Sequence, residues 1–330
     1  MRLRRLLIIS SGFIALCIAG LGVTASTRPV DEKNTRDFIK EMVKQHKFDE
    51  KELEEVFSKA RIHQRILDAI ARPAEAKPWH EYRPIFLNEP RIQGGIKFWN
   101  ENALLLKKAS EKYGVPPEII VAIIGVETRY GQHKGRYPVI DSLSTLAFAY
   151  PPRSSFFRSE LKQFLLMARE EKLDPTSQMG SYAGAMGMPQ FISSSFRRYA
   201  VDFDGDGSRD LWDNNADVIG SVANYFKRHG WQKDEPITDR VTVQGKGYRK
   251  LLSYDLEPQW TPKQLHKHGI KLPVKRQKSE KGTLIKLDTG TKQPEFWVGW
   301  QNFYVITRYN HSAHYSMAVY QLGEEIRQQR

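Results

Sequence analysis

The sequence predicts a mainly α protein of the α+β kind, helical over most of its length with a small β-rich insertion. Three observations predict it. From Asp37 to Ala71, and again over most of 97–230, apolar residues recur at intervals of three and four, the period of a helix with one buried face. The segment 117–127 is apolar on every side after Glu118 and reads as a helix buried all round. Beyond Pro236 the pattern changes to short runs punctuated by glycine and proline, as strands are.

The elements follow in order. Phe38, Ile39, Met42 and Val43, then Leu53, Val56 and Phe57, then Ile66, Leu67 and Ile70 mark the first helical faces. Residues 72–90 hold Pro73, Pro78, Pro84 and Pro90 and read as a connecting segment rather than a helix. A helix over 103–113 ends at Gly114, and Pro116 and Pro117 open the next, where proline suits the first turn. Two more helices are expected over 155–169 and 216–228. Val241-Thr242-Val243, 283–287 and 303–307 read as strands, with a short helix over 262–269 between them, and 316–327 returns to helix. At 330 residues the chain should form two or three compact units, and 40% hydrophobic residues suffice for a sizeable core.

The N-terminus sets the compartment. Arg2, Arg4 and Arg5 precede an apolar run from Leu6 to Val23, and Val23-Thr24-Ala25-Ser26 offers small residues at a cleavage point. This is an export signal, with cleavage expected after Ala25 and a periplasmic destination. A retained anchor is the alternative, and it would be the chain's one route to a membrane. The single cysteine, Cys17, follows Leu16 rather than a small residue, so lipidation is not expected. A mature chain without cysteine has no disulfide, thiol catalysis or cysteine-ligated metal. The net charge is +13, or +10 without the three leader arginines. A basic exported protein suits an anionic envelope polymer better than nucleic acid.

Glu127 stands out in the apolar helix. It falls in the last turn, desolvated and at the negative end of the helix dipole. Both effects favour the protonated carboxyl, which is what a general acid needs near neutral pH. The bland alternative is a helix end at which Glu127 pairs with Arg129. No second acid of 91–235 shares such a setting: Glu118 opens the same helix, and Asp141 lacks an apolar context.

Further blocks accompany this one. Val115-Pro116-Pro117-Glu118-Ile119-Ile120 precedes Gly125-Val126-Glu127-Thr128-Arg129-Tyr130-Gly131. Downstream lie 180–187 running into Gln190-Phe191, then Ala223-Asn224-Tyr225-Phe226, then Arg308-Tyr309-Asn310-His311-Ser312 ending at Tyr315. In this order, over roughly 37–325, they resemble the membrane-bound lytic murein transglycosylase B family. The resemblance implies a lysozyme-like helical catalytic core with an additional helical domain and a small β domain. It implies Glu127 as the single catalytic acid and base. It implies substrate contacts from Tyr82, Arg153, Ser181, Gln190, Tyr225, Tyr309, Asn310 and Tyr315. Tyrosine rings and planar amides suit sugar faces, hydroxyls and acetamido groups, although core packing is the commoner role of any one tyrosine. Where the family often has two adjacent arginines, this chain has Pro152 and Arg153.

The expected division is a leader over 1–25, a helical segment over 26–90, and a lysozyme-like core over 91–235. A β-rich domain over 236–305 follows, and 306–330 contributes to the active site and the helical domain.

The loop 202–213 has the spacing of a calcium loop. Asp202, Asp204, Asp206, Ser208, Asp210 and Asp213 supply oxygens, with Gly207 at the sharp turn. Five carboxylates in twelve residues repel one another without a counter-ion, so a structural Ca2+ is expected, and no cofactor for catalysis. A solvated acidic turn is the alternative. The resulting expectation is a lytic transglycosylase that acts on peptidoglycan glycan strands beside other cell-wall enzymes. It leaves 1,6-anhydromuramic ends. The alternatives are a muramidase cutting the same bond, or a non-catalytic peptidoglycan- or calcium-binding envelope protein.

Overall fold

The computed structural model describes residues 27–71, 77–253 and 255–330. The expected leader lies outside the described residues. No described helix is long and apolar enough to cross a membrane.

The chain runs through β1 (Thr27–Pro29), α1 (Glu32–His46), α2 (Glu50–Lys59), β2 (Arg61–His63), α3 (Gln64–Ile70), α4 (Trp79–Phe86), α5 (Glu89–Glu101), α6 (Ala103–Tyr113) and α7 (Pro117–Thr128). Then come β3 (Tyr137–Pro138), α8 (Val139–Ala149), α9 (Ser154–Glu170), β4 (Met179–Gly180), α10 (Ser193–Tyr199) and α11 (Asn215–Arg228). The last stretch holds β5 (Thr238–Val243), α12 (Pro262–Lys267), β6 (Ile270–Lys271), β7 (Thr283–Leu287), β8 (Glu295–Gly299), α13 (Gln301–Thr307) and α14 (Ala313–Gln329). Helices take up 54% of the described residues, so the protein is mainly α with small sheets. The described residues fall into two compact units, one of 77–126 with 223–330 and the other of 27–71 with 127–222.

In the first unit α14 packs on α4, α5 and α13. Beside them lies an antiparallel sheet of order β6-β5-β8-β7. Its inner face buries Val241, Leu284 and Val298 with Leu251, Leu265 and Ile270. Trp300 closes that core, and its Nε1 donates to Asp239 at 2.9 Å. Arg276 forks onto the same carboxylate at 2.9 and 2.7 Å.

Two expectations fail in this unit. The proline-rich 72–90 contains α4, whose Trp79, Tyr82 and Phe86 are all buried. Pro78 is its N-cap, and Pro90 starts α5, where a proline has no hydrogen bond to lose. Only Pro84 lies inside, and the burial of three large aromatics at helical spacing outweighs one missing bond. The expected strand over 303–307 is α13, with Phe303, Val305 and Ile306 buried. A short apolar run buried all round has no period by which to tell helix from strand.

In the second unit α8 packs on α9, and β2 and α3 lie against α8. Phe38, Phe57 and Phe148 meet edge to face with centroids 5.7 to 6.5 Å apart. Asp141, read from the sequence as lacking a buried setting, is 6% exposed on α8. It accepts the Arg61 N–H at 2.9 Å, and its Oδ2 lies 2.7 Å from His63 Nε2, which ties β2 to α8.

Glu160 of α9 is also buried, and it accepts the Ser194 N–H at 2.9 Å at the start of α10. Burial pushes its carboxyl above the ordinary 4.5, against the pull of the serine donors. An acid whose value is higher folded than unfolded favours the fold at low pH, and that benefit fades as pH rises through the folded value. Glu160→Gln keeps an acceptor for Ser194 but cannot ionise. Thermal melts at pH 4.5 and 7 are expected to show a smaller loss of stability in the variant than in the wild type. Equal losses would contradict this role.

Candidate active site

Along α7, Ile119 to Ile124 are at most 1% exposed. Burial also pushes the Glu118 carboxyl up in its first turn. A helix sealed this way must satisfy its last carbonyls from within the protein. Arg91, buried on α5, does so: its Nη1 donates to Gly125 O at 3.1 Å and to Val126 O at 3.4 Å.

Glu127 follows, in the last turn of α7. It is half-buried, so the desolvation expected from the sequence is partial. The chain turns sharply just afterwards. Arg129, Tyr130 and Gly131 are all left-handed, with φ of 50°, 58° and 89°. The two non-glycine residues cost roughly 1–2 kcal/mol each, so the turn must be held by its surroundings. Thr128, 1% exposed, holds it. Its hydroxyl donates to Met188 O at 3.0 Å and accepts the Gly131 N–H at 3.1 Å, while its carbonyl accepts the His133 N–H at 2.9 Å.

Met188 belongs to a strap that starts at β4, which pairs with β3. Met186 bridges to both Gly180 and Phe191. Ser181 is buried, and its Oγ accepts from Ala183 N at 3.3 Å and Ala185 N at 3.0 Å. Gly187 has φ 68°, and a Cβ there would sit 2.3 Å from Leu211 O, so only glycine fits. Gln190 also takes a left-handed φ, 51°. Its Nε2 donates to Gly187 O at 2.9 Å, and its buried Oε1 has no hydrogen-bond partner among the described residues. Arg153 is half-buried, with its guanidinium 4.4 Å from the Phe156 ring centroid.

These residues belong to the second unit, whereas Tyr82, Tyr225, Tyr309, Asn310 and Tyr315 belong to the first. Tyr225 stacks on His229 at 4.0 Å, lies 4.8 Å from Tyr309, and donates its hydroxyl to Arg308 O at 2.5 Å. Tyr82 packs against Trp79, Phe86 and His314, and burial pulls the His314 imidazole down. Tyr82, Tyr225 and Asn310 are 2, 7 and 4% exposed, so each has little more than an edge to offer a ligand. Tyr315 is 0% exposed, which makes it a core side chain in this structure.

The acidic loop brings two of the expected ligands together with one carboxylate from outside it. Asp202, Asp204 and Asp217 each bring a carboxylate oxygen within 4.8 Å of the others. Asp217, buried on α11, lies outside 202–213. Burial and the two neighbouring carboxylates push it up, while Phe203 and Asp210 N–H groups donate to it at 2.7 and 2.8 Å. Asp213 instead pairs with Lys134 at 2.6 Å. Asp210 accepts from Trp212 N and Asp213 N, and Asp206 from Ser208 N. Asp217 thus reaches the loop from the following helix, outside the twelve residues that the spacing rule covers.

Comparison with known proteins decides the family. The chain matches the transglycosylase SLT domain over residues 31–324. It belongs to this family of lytic transglycosylases. It is 45% identical over 303 residues to membrane-bound lytic murein transglycosylase B of Escherichia coli strain K12, covering 89% of this chain and 82% of that one. Its fold matches soluble lytic transglycosylase SltB1 of Pseudomonas aeruginosa with a TM-score of 0.86 at 49% identity, over 90% of this chain and 99% of that one. The Escherichia coli lytic transglycosylase Slt35 in complex with calcium matches with a TM-score of 0.83 at 43% identity, over 90% and 93% of the two chains.

In this transglycosylase, sequence reasoning missed Arg91, Thr128 and Asp217. Arg91 carried no signal, since its carbonyl partners lie 34 and 35 residues away. Thr128 stood beside the acid and could have been read as a polar stop to an apolar helix. Thr128→Val keeps the shape but leaves Met188 O and Gly131 N without their partner, at about 1–3 kcal/mol for each buried group. Melting of Thr128→Val well below wild type, with Thr128→Ser close to it, is expected. Equal melting of Val and wild type would show that the hydroxyl holds nothing.

Proposed function

We propose that this lytic transglycosylase cleaves the β-1,4 bond between N-acetylmuramic acid and N-acetylglucosamine in the periplasm, with Glu127 as both acid and base, and leaves 1,6-anhydromuramic ends. One observation carries the reading: a half-buried carboxyl in the last turn of an otherwise sealed helix, followed by a strained turn held by Thr128.

The chemistry follows from which acids are available. Most glycosidases use two carboxyls. The other buried acids of the second unit, Asp141, Glu160 and Asp217, each accept backbone N–H groups and have structural duties. With Glu127 as the single acid, the substrate supplies the nucleophile. Glu127 protonates the leaving oxygen while the acetamido oxygen attacks its own anomeric carbon. The carboxylate then takes the proton of the C6 hydroxyl, whose oxygen closes on that carbon and displaces the acetamido oxygen from it. An intramolecular attack needs no captured water and gains from proximity. Arg153, Gln190 and Tyr309 are the half-buried candidates for sugar contacts. Tyr82, Ser181, Tyr225 and Asn310 contribute edges, and Tyr315 supports them from the core.

Digests of purified sacculi test this. The wild type is expected to release 1,6-anhydromuropeptides about 18 Da lighter than hydrolysis products, because no water is added. Glu127→Gln is expected to lose at least about 10²-fold in rate with its fold intact. Reducing-end products would make the enzyme a muramidase. A Gln variant retaining more than a tenth of the activity would remove Glu127 from the mechanism.

A structural Ca2+ fits Asp202, Asp204 and Asp217, three hard oxygen donors that converge, with burial and the other two carboxylates disfavouring the charged form of Asp217 until a cation offsets them. An ion bound only by the folded state stabilises it by mass action. Excess calcium is expected to raise the melting temperature and a chelator to lower it. Asp202→Asn should abolish that response and Asp213→Asn should keep it. Loss of the response in Asp213→Asn would restore the loop-only ligand set.

A further inference from the structure

The first unit contains a groove of about 540 Å³ between α4, α14 and the sheet. That is the size of a small-ligand site, and none of the candidate catalytic or sugar-contact residues lines it. Its most ordered feature is Trp297, on β8. The indole N–H donates to Glu295 at 3.2 Å, the Arg240 guanidinium lies 6.0 Å from the ring, and the Tyr320 ring meets it edge-on at 6.2 Å and 73°. A half-buried indole braced on three sides is a fixed flat surface.

The polar groups around it are planar, and their charges nearly cancel. Arg240 pairs with Glu295 at 3.3 Å, Glu324 with Arg327 at 2.7 Å, and Arg83 Nε donates to Gln321 at 2.8 Å. Burial and the nearby Glu324 push the Tyr320 hydroxyl up to about 12, so it stays neutral and both donates and accepts. With two guanidiniums and three carboxylates in its lining, the groove holds little attraction for a polyanion. It has many forked donors and acceptors beside a flat apolar face, which suits hydroxyls and acetamido groups on a sugar ring.

We propose that this groove is a second glycan-binding site, which takes a neutral β-linked amino-sugar stretch of the polymer that the enzyme cleaves. The inference rests on the peptidoglycan reading above. Its consequence is retention. A second attachment to an insoluble polymer raises the effective concentration of uncut strand at the catalytic site.

The test uses the N-acetylglucosamine tetramer and the full chain carrying Glu127→Gln, so that nothing is turned over. The Trp297 indole N–H resonance, assigned by comparison with a Trp297→Phe chain, is expected to shift saturably with the tetramer. Arg240 has a side chain 66% exposed, so Arg240→Ala should leave the fold unaltered. It is expected to weaken that shift and the retention on sacculi by about tenfold, as for a lost charge-assisted hydrogen bond. An unmoved Trp297 resonance at millimolar tetramer, or Arg240→Ala retained as well as its parent, overturns the site. A wild type that releases anhydro products while Trp297 stays unmoved overturns this inference alone. A wild type that releases nothing overturns the functional reading first.

Discussion

A helix buried along its whole length must hand over its last carbonyls, and α7 has to do so while keeping a carboxyl at its end. Much of the site's construction follows from that constraint. Arg91 takes two of the carbonyls in the first unit, and a cation there is also favoured by the helix dipole. In the second unit the Thr128 carbonyl accepts the His133 N–H, and its hydroxyl serves the strap at Met188 and the turn at Gly131. Left-handed Arg129 and Tyr130 are the cost of ending the helix abruptly. Glu127 lies just before that end, half-buried rather than sealed within the core.

The buried acids of the second unit mark the contrast. Asp141, Glu160 and Asp217 are all buried more completely than Glu127. Burial alone therefore does not identify a catalytic acid. Each of the three serves backbone N–H groups that would otherwise be stranded, so removing it breaks the fold before it touches any chemistry.

The sequence revealed what depends on local periodicity. The apolar run of α7, the Gly114 stop and the Pro117 start describe themselves, because each is decided by residues a few positions apart. The mainly α fold with a β insertion followed from the same patterns. What was illegible depends on distant partners. Nothing near Pro78 and Pro84 says that Trp79, Tyr82 and Phe86 will be covered by α14. Nothing near Phe303 tells a buried helix from a buried strand. The candidate site splits the same way. Glu127 was legible from its own helix, whereas Arg91 acts across 34 residues and Asp217 reaches the acidic loop from the helix after it.

The near-burial of the candidate sugar contacts also bears on the reaction. Tyr225 is fixed by His229, Tyr309 and the Arg308 carbonyl, all within the first unit. Ser181 and Gln190 are fixed by the backbone of their own strap in the second. Side chains already held in one rotamer lose little entropy when a ligand arrives, so more of the binding energy goes into orienting the sugar. An attack by the substrate's own C6 hydroxyl profits most from that. Both reacting oxygens sit on one ring, and the rate then depends on how well that ring is held against a single acid. A hydrolase must also order a water molecule. Where Glu127 is the one acid, as proposed, ring closure therefore asks less of the protein than hydrolysis does.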